Sequence, residues 1–290
     1  MVYSMDMGLF ELGVEEACVK TYREMKEAME ELAKAHGDLE PFTVGKSSPK
    51  RSGERLDIVG LVLKPLCSAS NATIWFVSGH HNCECSGPET VYELSRRISE
   101  SESEDMLKIR ENKAMVFIPQ INSVWYDGFE ENVKDKLGYD ADLNVYFGPP
   151  STISGIASET RAVKSTIRKL SKKYGKPVLA FDFHEGSSSG RFEIEEAGAG
   201  YPYNILDRLE SYFPVEKEGG KGFTYKYGFT SYIKKRFPSA RAFLIESFYK
   251  AEPLTPFNMH NPYKGKITLR DRIEANLMAV ELILSEMFID

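Results

Sequence analysis

Four residues that could bind a metal ion or transfer a proton each lie just after an apolar run: His81 and Glu84 after the first, His184 after the second, and Glu246 after the third. Such runs are typical of buried strands, and sites in open α/β sheets form at the carboxyl ends of strands. Two histidines and one carboxylate are a common ligand set for catalytic zinc, whose fourth position is left for water. The pattern therefore predicts one Zn²⁺ per chain at His81, Glu84 and His184.

Glu246 is the candidate for proton transfer. Zinc held by two neutral imidazoles and one carboxylate keeps a positive charge and brings the pKa of its bound water to about 7. A carboxylate that does not bind the metal must then accept the water's proton and pass it to the leaving amine. Glu246 fits this role because burial at the end of an apolar strand raises a carboxyl pKa. The alternative is an ion pair at the strand end with Arg241 or Lys250.

Other polar residues near these motifs have more than one interpretation. Asp182 lies two residues before the second histidine, so the two side chains share one face of a strand. It either orients a histidine that binds the metal or pairs with an unrelated lysine. We predict that His80 is not a ligand, because His81 has the better spacing from the carboxylate. His36 and His260 are predicted to be surface residues.

The cysteines are few, four in 290 residues, which fits a reducing compartment. Cys83 and Cys85 could form a thiolate metal site beside the histidines. Structural zinc sites, however, usually place two or more residues between their cysteines and need a second cluster elsewhere. Small thiols packed behind the motif are therefore the preferred interpretation.

Composition restricts the class of protein. The chain is long enough for a large core, and no Gly/Ser- or Pro-rich linker divides it, so we predict a single domain over 1–290. A formal net charge of -6 argues against a nucleic-acid partner. The amino terminus lacks the basic start of a signal peptide, and no apolar stretch approaches the roughly 20 residues of a membrane span. We therefore predict a cytoplasmic protein without a membrane partner, and its oligomeric state is open.

Apolar periodicity predicts strands that alternate with helices. The predicted helices are 14–36, 88–99, 158–174, 203–212 and 268–288, and the predicted strands are 72–78, 114–119, 177–183 and 241–246, preceded by an antiparallel pair, 42–44 with 56–62. These strands are too apolar to have a wet face, which predicts an α/β fold with a mostly parallel, twisted sheet and helices on both faces. The long irregular stretch 120–157 is more often functional than idle in such a domain.

The motifs, taken in order, resemble the zinc metallocarboxypeptidase superfamily, the carboxypeptidase A-like proteins that include the succinylglutamate desuccinylase and aspartoacylase branch. The similarity extends over nearly the whole length, through segments 21–25, 44–55, 79–84, 118–128, 142–144, 158–160, 183–184 and 245–246. The resemblance implies a carboxypeptidase-like three-layer sandwich, zinc at His81, Glu84 and His184, and Glu246 as the catalytic glutamate. It also implies that Asn144 binds the carboxylate end of the substrate and that Asp142 supports a zinc-bound histidine.

The chain departs from the family at its substrate-binding arginines. Val145 stands where an arginine would grip the substrate's carboxylate, and the interval 129–141, where a second arginine is expected, has only lysines. Lysine does not offer the bidentate donor pair that suits a carboxylate. Arg191, shortly after the second zinc histidine, is the candidate replacement. The family's catalytic tyrosine has no clear match, although three tyrosines lie in the appropriate region: Tyr225, Tyr227 and Tyr232.

Together these features predict a zinc-dependent hydrolase of amide bonds whose substrate is a peptide or an acyl-amino acid. An exopeptidase is favoured over a deacylase, because the deacylase branch usually carries an additional β-rich portion after the catalytic glutamate, and here only a loop and one helix follow. The alternative is a non-catalytic metal-binding protein that has lost the arginines. The sequence does not determine the side-chain specificity.

Overall fold

Within the described residues, seven strands form one mixed sheet. In this computed structural model the described residues are 8–10, 18–50, 52–67, 71–81, 84–126, 143, 147, 157–186, 191–217, 228–247 and 267–289. The strands are β1 (Leu39–Lys46), β2 (Asp57–Leu63), β3 (Ala72–Ser78), β4 (Lys113–Ile118), β5 (Lys176–Glu185), β6 (Glu193–Glu196) and β7 (Arg241–Ser247). Across the sheet their order is β1-β2-β4-β3-β5-β7-β6.

The centre of the sheet is parallel. Strands β4, β3, β5 and β7 run in one direction, whereas β1 pairs antiparallel with β2, β2 with β4, and β6 with β7. Every residue of β3 is buried, as a strand covered on both faces requires. The prediction of a mostly parallel sheet with an antiparallel edge is confirmed.

Helices cover both faces of this sheet. They are α1 (Tyr22–Ala35), α2 (Ser86–Glu100), α3 (Glu104–Glu111), α4 (Ser123–Tyr126), α5 (Ser158–Tyr174), α6 (Tyr203–Leu209), α7 (Phe229–Arg236) and α8 (Leu269–Phe288). Side chains of α2, α6 and α8 share one apolar cluster with one face of the sheet, and those of α5 and α7 share a second cluster with the other face. The predicted α/β arrangement of three layers is confirmed. None of the helices in the described ranges has the length and apolar character to cross a membrane.

A row of four phenylalanines crosses the parallel strands. Phe117, Phe76, Phe181 and Phe243 lie side by side on β4, β3, β5 and β7, with successive ring centroids 5.0, 5.2 and 5.9 Å apart. All four are fully buried, and truncation of one to alanine would cost about 3–5 kcal/mol. Because side chains alternate along a strand, Phe181 and Asp182 project to opposite faces of the sheet. The row of phenylalanines therefore packs on the face opposite to Asp182 and helps to hold the parallel strands in register.

The first helix begins later than predicted. It starts at Tyr22 rather than Val14, and residues 18–20 are not helical. A capping box at Thr21 begins the helix. The Thr21 hydroxyl accepts from the Glu24 amide at 3.3 Å, and the Glu24 carboxylate accepts from the Thr21 amide at 2.8 Å. The local cap sets the boundary although the amphipathic spacing continues through it.

Four elements were not predicted, namely β6, α3, α4 and α7, and one helix is shorter than predicted. Strand β6 has the sequence Glu-Ile-Glu-Glu, which carries no run of apolar residues. Helix α3 is mostly charged. Helix α6 ends at Leu209, three residues before its predicted end. In the first two cases tertiary pairing, rather than local pattern, decides the structure.

Candidate metal centre

A glycine shapes the loop that follows β3. Gly79 has a φ of 71°, in the left-handed region, and a Cβ there would lie 2.7 Å from the Pro119 carbonyl oxygen. The Asn122 amide donates to the Gly79 carbonyl at 2.8 Å, and the Ile121 amide donates to the Ser78 carbonyl at 3.2 Å. Only glycine allows the backbone at residue 79 to approach the 119–122 segment this closely. This approach sets the position of the two histidines that follow.

The ends of β5 and β7 place two further site residues beside this loop. In the parallel register His184 lies directly opposite Glu246. Neighbouring strands are roughly 4.8 Å apart, and opposite residues project to the same face. On the next strand, β6, the antiparallel register places Glu193 opposite Glu246. The site is thus built at the carboxyl edge of the parallel sheet, as the sequence predicts.

One carboxylate joins the two predicted metal-binding histidines. His81 Nδ1 lies 2.7 Å from Glu84 Oε1, and His184 Nδ1 lies 2.9 Å from Glu84 Oε2. The side chains of His81 and Glu84 are 22% and 14% exposed to solvent, whereas that of His184 is fully buried. We call these three residues the outer group. Their ligand atoms lie within 4.8 Å of one another, so the structure brings together the three residues that the sequence predicts as metal ligands.

A second group lies behind the first and shares one histidine with it. Asp182 Oδ1 lies 2.9 Å from His80 Nε2 and 3.2 Å from His184 Nε2. All three side chains are buried, and their ligand atoms also lie within 4.8 Å of one another. We call His80, Asp182 and His184 the inner group. Of the two interpretations of Asp182, the structure shows contact with histidines of the site, and a role in orienting a metal ligand stays a prediction.

Burial distinguishes the two groups as places for a catalytic metal. A catalytic zinc keeps one position open for water or substrate. The outer group has partly exposed members, whereas each member of the inner group is at most 1% exposed. By exposure, a catalytic metal therefore fits the outer group better than the inner group.

The charges of the site suit a cation. Burial alone would raise the pKa of Glu84, but His81 and His184 lower it to about 2. Asp182 likewise has a lowered pKa, because His80 and His184 outweigh its burial. Burial lowers the pKa of His184, yet Asp182 and Glu84 raise it well above its ordinary value. Two carboxylates thus hold a positive charge on this imidazole, and the same negative field with the same N and O donors would favour Zn²⁺.

Glu246 differs from the other carboxylates of the site. Burial raises its pKa to about 8, and although His184 and His81 lower that value, Glu84 and Glu193 raise it again. The predicted alternative, an ion pair with Arg241, is wrong, because Arg241 instead pairs with two other carboxylates, Glu196 at 2.8 Å and Glu286 at 3.1 Å. Lys250, the other suggested partner, lies outside the described residues. Glu246 therefore has the raised pKa that proton transfer near neutral pH requires.

Several predicted site residues lie outside the described part of the chain. These are Asn144, Asp142, Val145, the interval 129–141, Tyr225, Tyr227, Cys83 and His260. Arg191 is described: it is exposed, and its Nη1 donates to the Val215 carbonyl at 3.5 Å. Its role toward a substrate carboxylate stays a prediction. The third tyrosine, Tyr232, lies on α7 with its ring 6.0 Å from that of Phe147.

The remaining histidine and cysteine predictions concern packing. Cys85 is buried and packs with Tyr22 and Leu56, in agreement with a small thiol behind the motif. His36 is partly exposed, with Nε2 4.0 Å from Glu100 Oε1, in agreement with a surface residue.

Sequence reasoning missed two parts of the site. Spacing favours His81 over His80 as a metal ligand, yet His80 is fully buried against Asp182. Glu193 belongs to the unpredicted strand β6, where its Oε1 accepts from the Tyr201 hydroxyl at 2.8 Å. The doubled histidine after Gly79 was the one signal that could have found His80. For Glu193, no local pattern points to the site.

Comparisons with known proteins agree with this geometry at the level of fold. No family model and no curated protein matches the sequence. Among solved structures, a metallo-carboxypeptidase from Burkholderia cenocepacia superposes with a TM-score of 0.63 at 14% identity, covering 92% of this chain and 69% of that one. Thrombin activatable fibrinolysis inhibitor superposes with a TM-score of 0.64 at 15% identity, covering 93% and 77%. The chain has the metallocarboxypeptidase fold.

A third structure with the metallocarboxypeptidase fold extends this likeness. It is a metallo-carboxypeptidase from Pseudomonas aeruginosa in complex with (2-guanidinoethylmercapto)succinic acid, with a TM-score of 0.61 at 16% identity, covering 92% of this chain and 69% of that one. Identities this low establish the fold, so the predicted carboxypeptidase-like architecture is confirmed. What the chain does must be argued from its own outer group and Glu246.

Proposed function

We propose that this protein is a zinc-dependent hydrolase of amide bonds that acts on a peptide or an acyl-amino acid. One observation carries the proposal: Glu84 joins His81 and His184 at the edge of the sheet where Glu246 also ends its strand. This combines a donor set suited to zinc with a separate carboxylate for proton transfer, on a metallocarboxypeptidase fold.

His81 Nδ1, Glu84 and His184 Nδ1 would hold the metal. When bound, zinc supplies a lowered pKa of coordinated water and a polarised substrate carbonyl. The chain supplies the orientation: Asp182, 3.2 Å from His184 Nε2, holds the far side of that imidazole. Such carboxylate partners fix the ring and increase its strength as a ligand.

Glu246 would move the proton. Burial raises the pKa of this carboxyl to about 8 in the metal-free site, and the positive charge of bound zinc would lower it, which favours the ionised form that accepts a proton. The carboxylate can accept a proton from the attacking water, and the resulting acid can give it to the nitrogen of the leaving amine. A group whose pKa lies near the working pH is the most effective acid and base, and contributes about 10²- to 10⁴-fold to a rate.

The substrate is proposed to carry a carboxylate. Asn144 and Arg191 are the residues proposed to bind it, since the arginine expected at Val145 is absent. The Pseudomonas neighbour forms a complex with a succinic acid derivative, so peptides and acylated amino acids with free carboxylates are the first compounds to screen. Carboxypeptidase activity is proposed ahead of deacylation, because the Burkholderia and Pseudomonas structures that share this fold are metallo-carboxypeptidases.

The test combines metal analysis with turnover. Purified wild-type protein and Glu246→Gln are assayed for zinc by elemental analysis and for hydrolysis of a panel of peptides and acyl-amino acids. We expect about one zinc in both proteins, and hydrolysis in the wild type that falls by about 10²- to 10⁴-fold in the variant. Glu281→Gln is the matched control, because Glu281 is also a buried carboxylate but contacts the Leu9 amide instead of the site.

Each component of the test can contradict the proposal. Wild-type protein without zinc, even after zinc is supplied, would exclude the metal site. Zinc without hydrolysis of any compound in the panel would favour the non-catalytic binding protein. Equal rates in wild type and Glu246→Gln would exclude Glu246 as the proton-transfer group.

A further inference from the structure

His80 is a buried histidine that the proposed mechanism does not use. It is not exposed at all, and it sits between the site and the apolar cluster of α5 and α7. On one side its ring is stacked on that of His184, with centroids 5.3 Å apart and planes 14° from parallel. On other sides it meets the ring of Phe147 edge-on at 5.7 Å and that of Phe229 at 6.4 Å.

These contacts leave the ring of His184 little freedom to rotate. Its Nδ1 edge faces Glu84, its Nε2 edge faces Asp182, and one of its flat faces lies against His80. Removing His80 would open a space behind the imidazole and release one side of Asp182. The orientation that points Nδ1 toward the outer group therefore depends on a residue outside that group.

The polar edge of His80 is as informative as its ring. A phenylalanine would fill the same space among aromatic neighbours without burying a polar atom, and a buried polar atom without a partner destabilises the folded state. His80 Nε2 lies 2.9 Å from Asp182 Oδ1, the oxygen that also faces His184 at 3.2 Å. One carboxylate oxygen can accept from two N–H groups, so Asp182 can contact both histidines at once, although neither contact has the angle of an ideal hydrogen bond.

We propose that His80 is a positioning residue for the zinc site. It holds Asp182 through Nε2 and supports the ring of His184 through stacking, so that His184 Nδ1 stays aimed at the metal position beside Glu84. This inference rests on the proposed function, since it assumes that the outer group binds zinc. It assigns a role to a residue that the spacing of the sequence motif leaves out.

The experiment measures zinc affinity directly, by competition with a chromophoric chelator, rather than turnover. His80→Phe keeps an aromatic ring of similar size and removes both ring nitrogens, whereas His80→Gln keeps a polar side chain that can donate to Asp182. We expect zinc to bind about 10- to 100-fold more weakly in His80→Phe, and closer to wild type in His80→Gln. His36→Phe is the control, because that histidine is at the surface and contacts Glu100 only at 4.0 Å.

A second readout separates positioning from folding. Thermal unfolding of the zinc-free proteins shows whether each variant is folded, and the visible spectrum of the Co²⁺-loaded proteins reports ligand geometry. We expect folded variants, a changed Co²⁺ spectrum for His80→Phe and an unchanged one for His36→Phe. If His80→Phe does not fold, the comparison of His80→Gln with wild type decides: weaker zinc binding with a changed Co²⁺ spectrum supports the proposal, and wild-type affinity with an unchanged spectrum overturns it.

The outcomes against the inference are distinct. Wild-type zinc affinity together with an unchanged Co²⁺ spectrum in His80→Phe overturns it while leaving the proposed function intact. Two zinc ions per wild-type chain that fall to one in His80→Phe also overturn it, because His80 would then be a ligand itself. Wild-type protein that binds no zinc overturns the proposed function and this inference with it.

Discussion

Two carboxylates hold the same imidazole from opposite sides, and they differ mainly in burial. Glu84 meets Nδ1 of His184 at 2.9 Å and is 14% exposed, whereas Asp182 meets Nε2 at 3.2 Å and is 1% exposed. Both have pKa values lowered by histidines against the effect of burial. The same pair of chemical groups thus occurs once where a ligand can enter and once where it cannot.

The difference in burial indicates which of these contacts can be replaced by bonds to a metal ion. Contacts in the outer group can be replaced by bonds to a metal, because the side chains of His81 and Glu84 are partly exposed to solvent. Contacts in the inner group are isolated from solvent, and breaking a buried ion pair by removing one partner typically costs 3–5 kcal/mol. We therefore expect the outer group to determine metal binding and the inner group to determine stability and alignment.

The largest effect is expected where the two groups meet. His184→Ala removes a metal ligand and leaves both Glu84 and Asp182 without a histidine between them. Zinc should fall from about one per chain to near zero, and the zinc-free protein should lose about 3–5 kcal/mol of its free energy of unfolding. Elemental analysis and urea denaturation measure the two effects. A variant that retained its zinc would show that the two groups do not depend on this imidazole.

Substitutions confined to one group should change zinc binding and zinc-free stability to different extents. In Glu84→Gln we expect loss of zinc with a smaller loss of zinc-free stability than in Asp182→Asn, because the side chain is partly exposed. In Asp182→Asn we expect a larger loss of zinc-free stability and about 10- to 100-fold weaker zinc binding. Paired denaturation and chelator competition test this crossover. Equal profiles for the two variants would mean that burial does not separate the groups.

Acid should act on the outer carboxylate of the zinc-free protein. Glu84 has a pKa of about 2 in the folded state, below the ordinary value of 4.5. Its contribution to stability is present above pH 4.5 and is lost as the pH falls from about 4.5 toward 2. Glu84→Gln should therefore flatten the acid limb of stability against pH, as measured by denaturation at several pH values. An unchanged acid limb would contradict the assigned partners.

A buried carboxylate without a histidine gives the smallest effect, with the opposite sign. Burial raises the pKa of Glu281 to about 7, although it accepts a hydrogen bond from the Leu9 amide at 3.1 Å. The protonated form is favoured in the folded state, so stability should fall as the pH rises from about 4.5 to 7, by at most about 3 kcal/mol. Glu281→Gln should remove this slope, and denaturation across the same range would detect a slope that persisted.

Much of the fold and part of the site follow from local pattern. The apolar runs that became β3, β5 and β7 are too long and too apolar for any setting other than a covered sheet, and ligands placed after such runs must share one edge. This suffices to predict that His81, Glu84 and His184 meet. It does not require knowledge of the register.

The rest depends on contacts that no local pattern encodes. Spacing alone ranked His80 below its neighbour, because its role comes from Asp182, which lies about 100 residues later on another strand. Glu193 reaches Glu246 only through the antiparallel register of a four-residue strand without an apolar run. The start of α1 was also set by a cap rather than by periodicity.

The order of the site residues along the chain has a consequence for biosynthesis. His81 and Glu84 leave the ribosome first, His184 follows 100 residues after Glu84, and Glu246 comes 62 residues later still. Pairing of β3 with β5 must close this long loop before the three metal donors meet, and such non-local contacts form slowly. All three residues proposed to bind zinc are therefore synthesised before β7, the strand that carries Glu246.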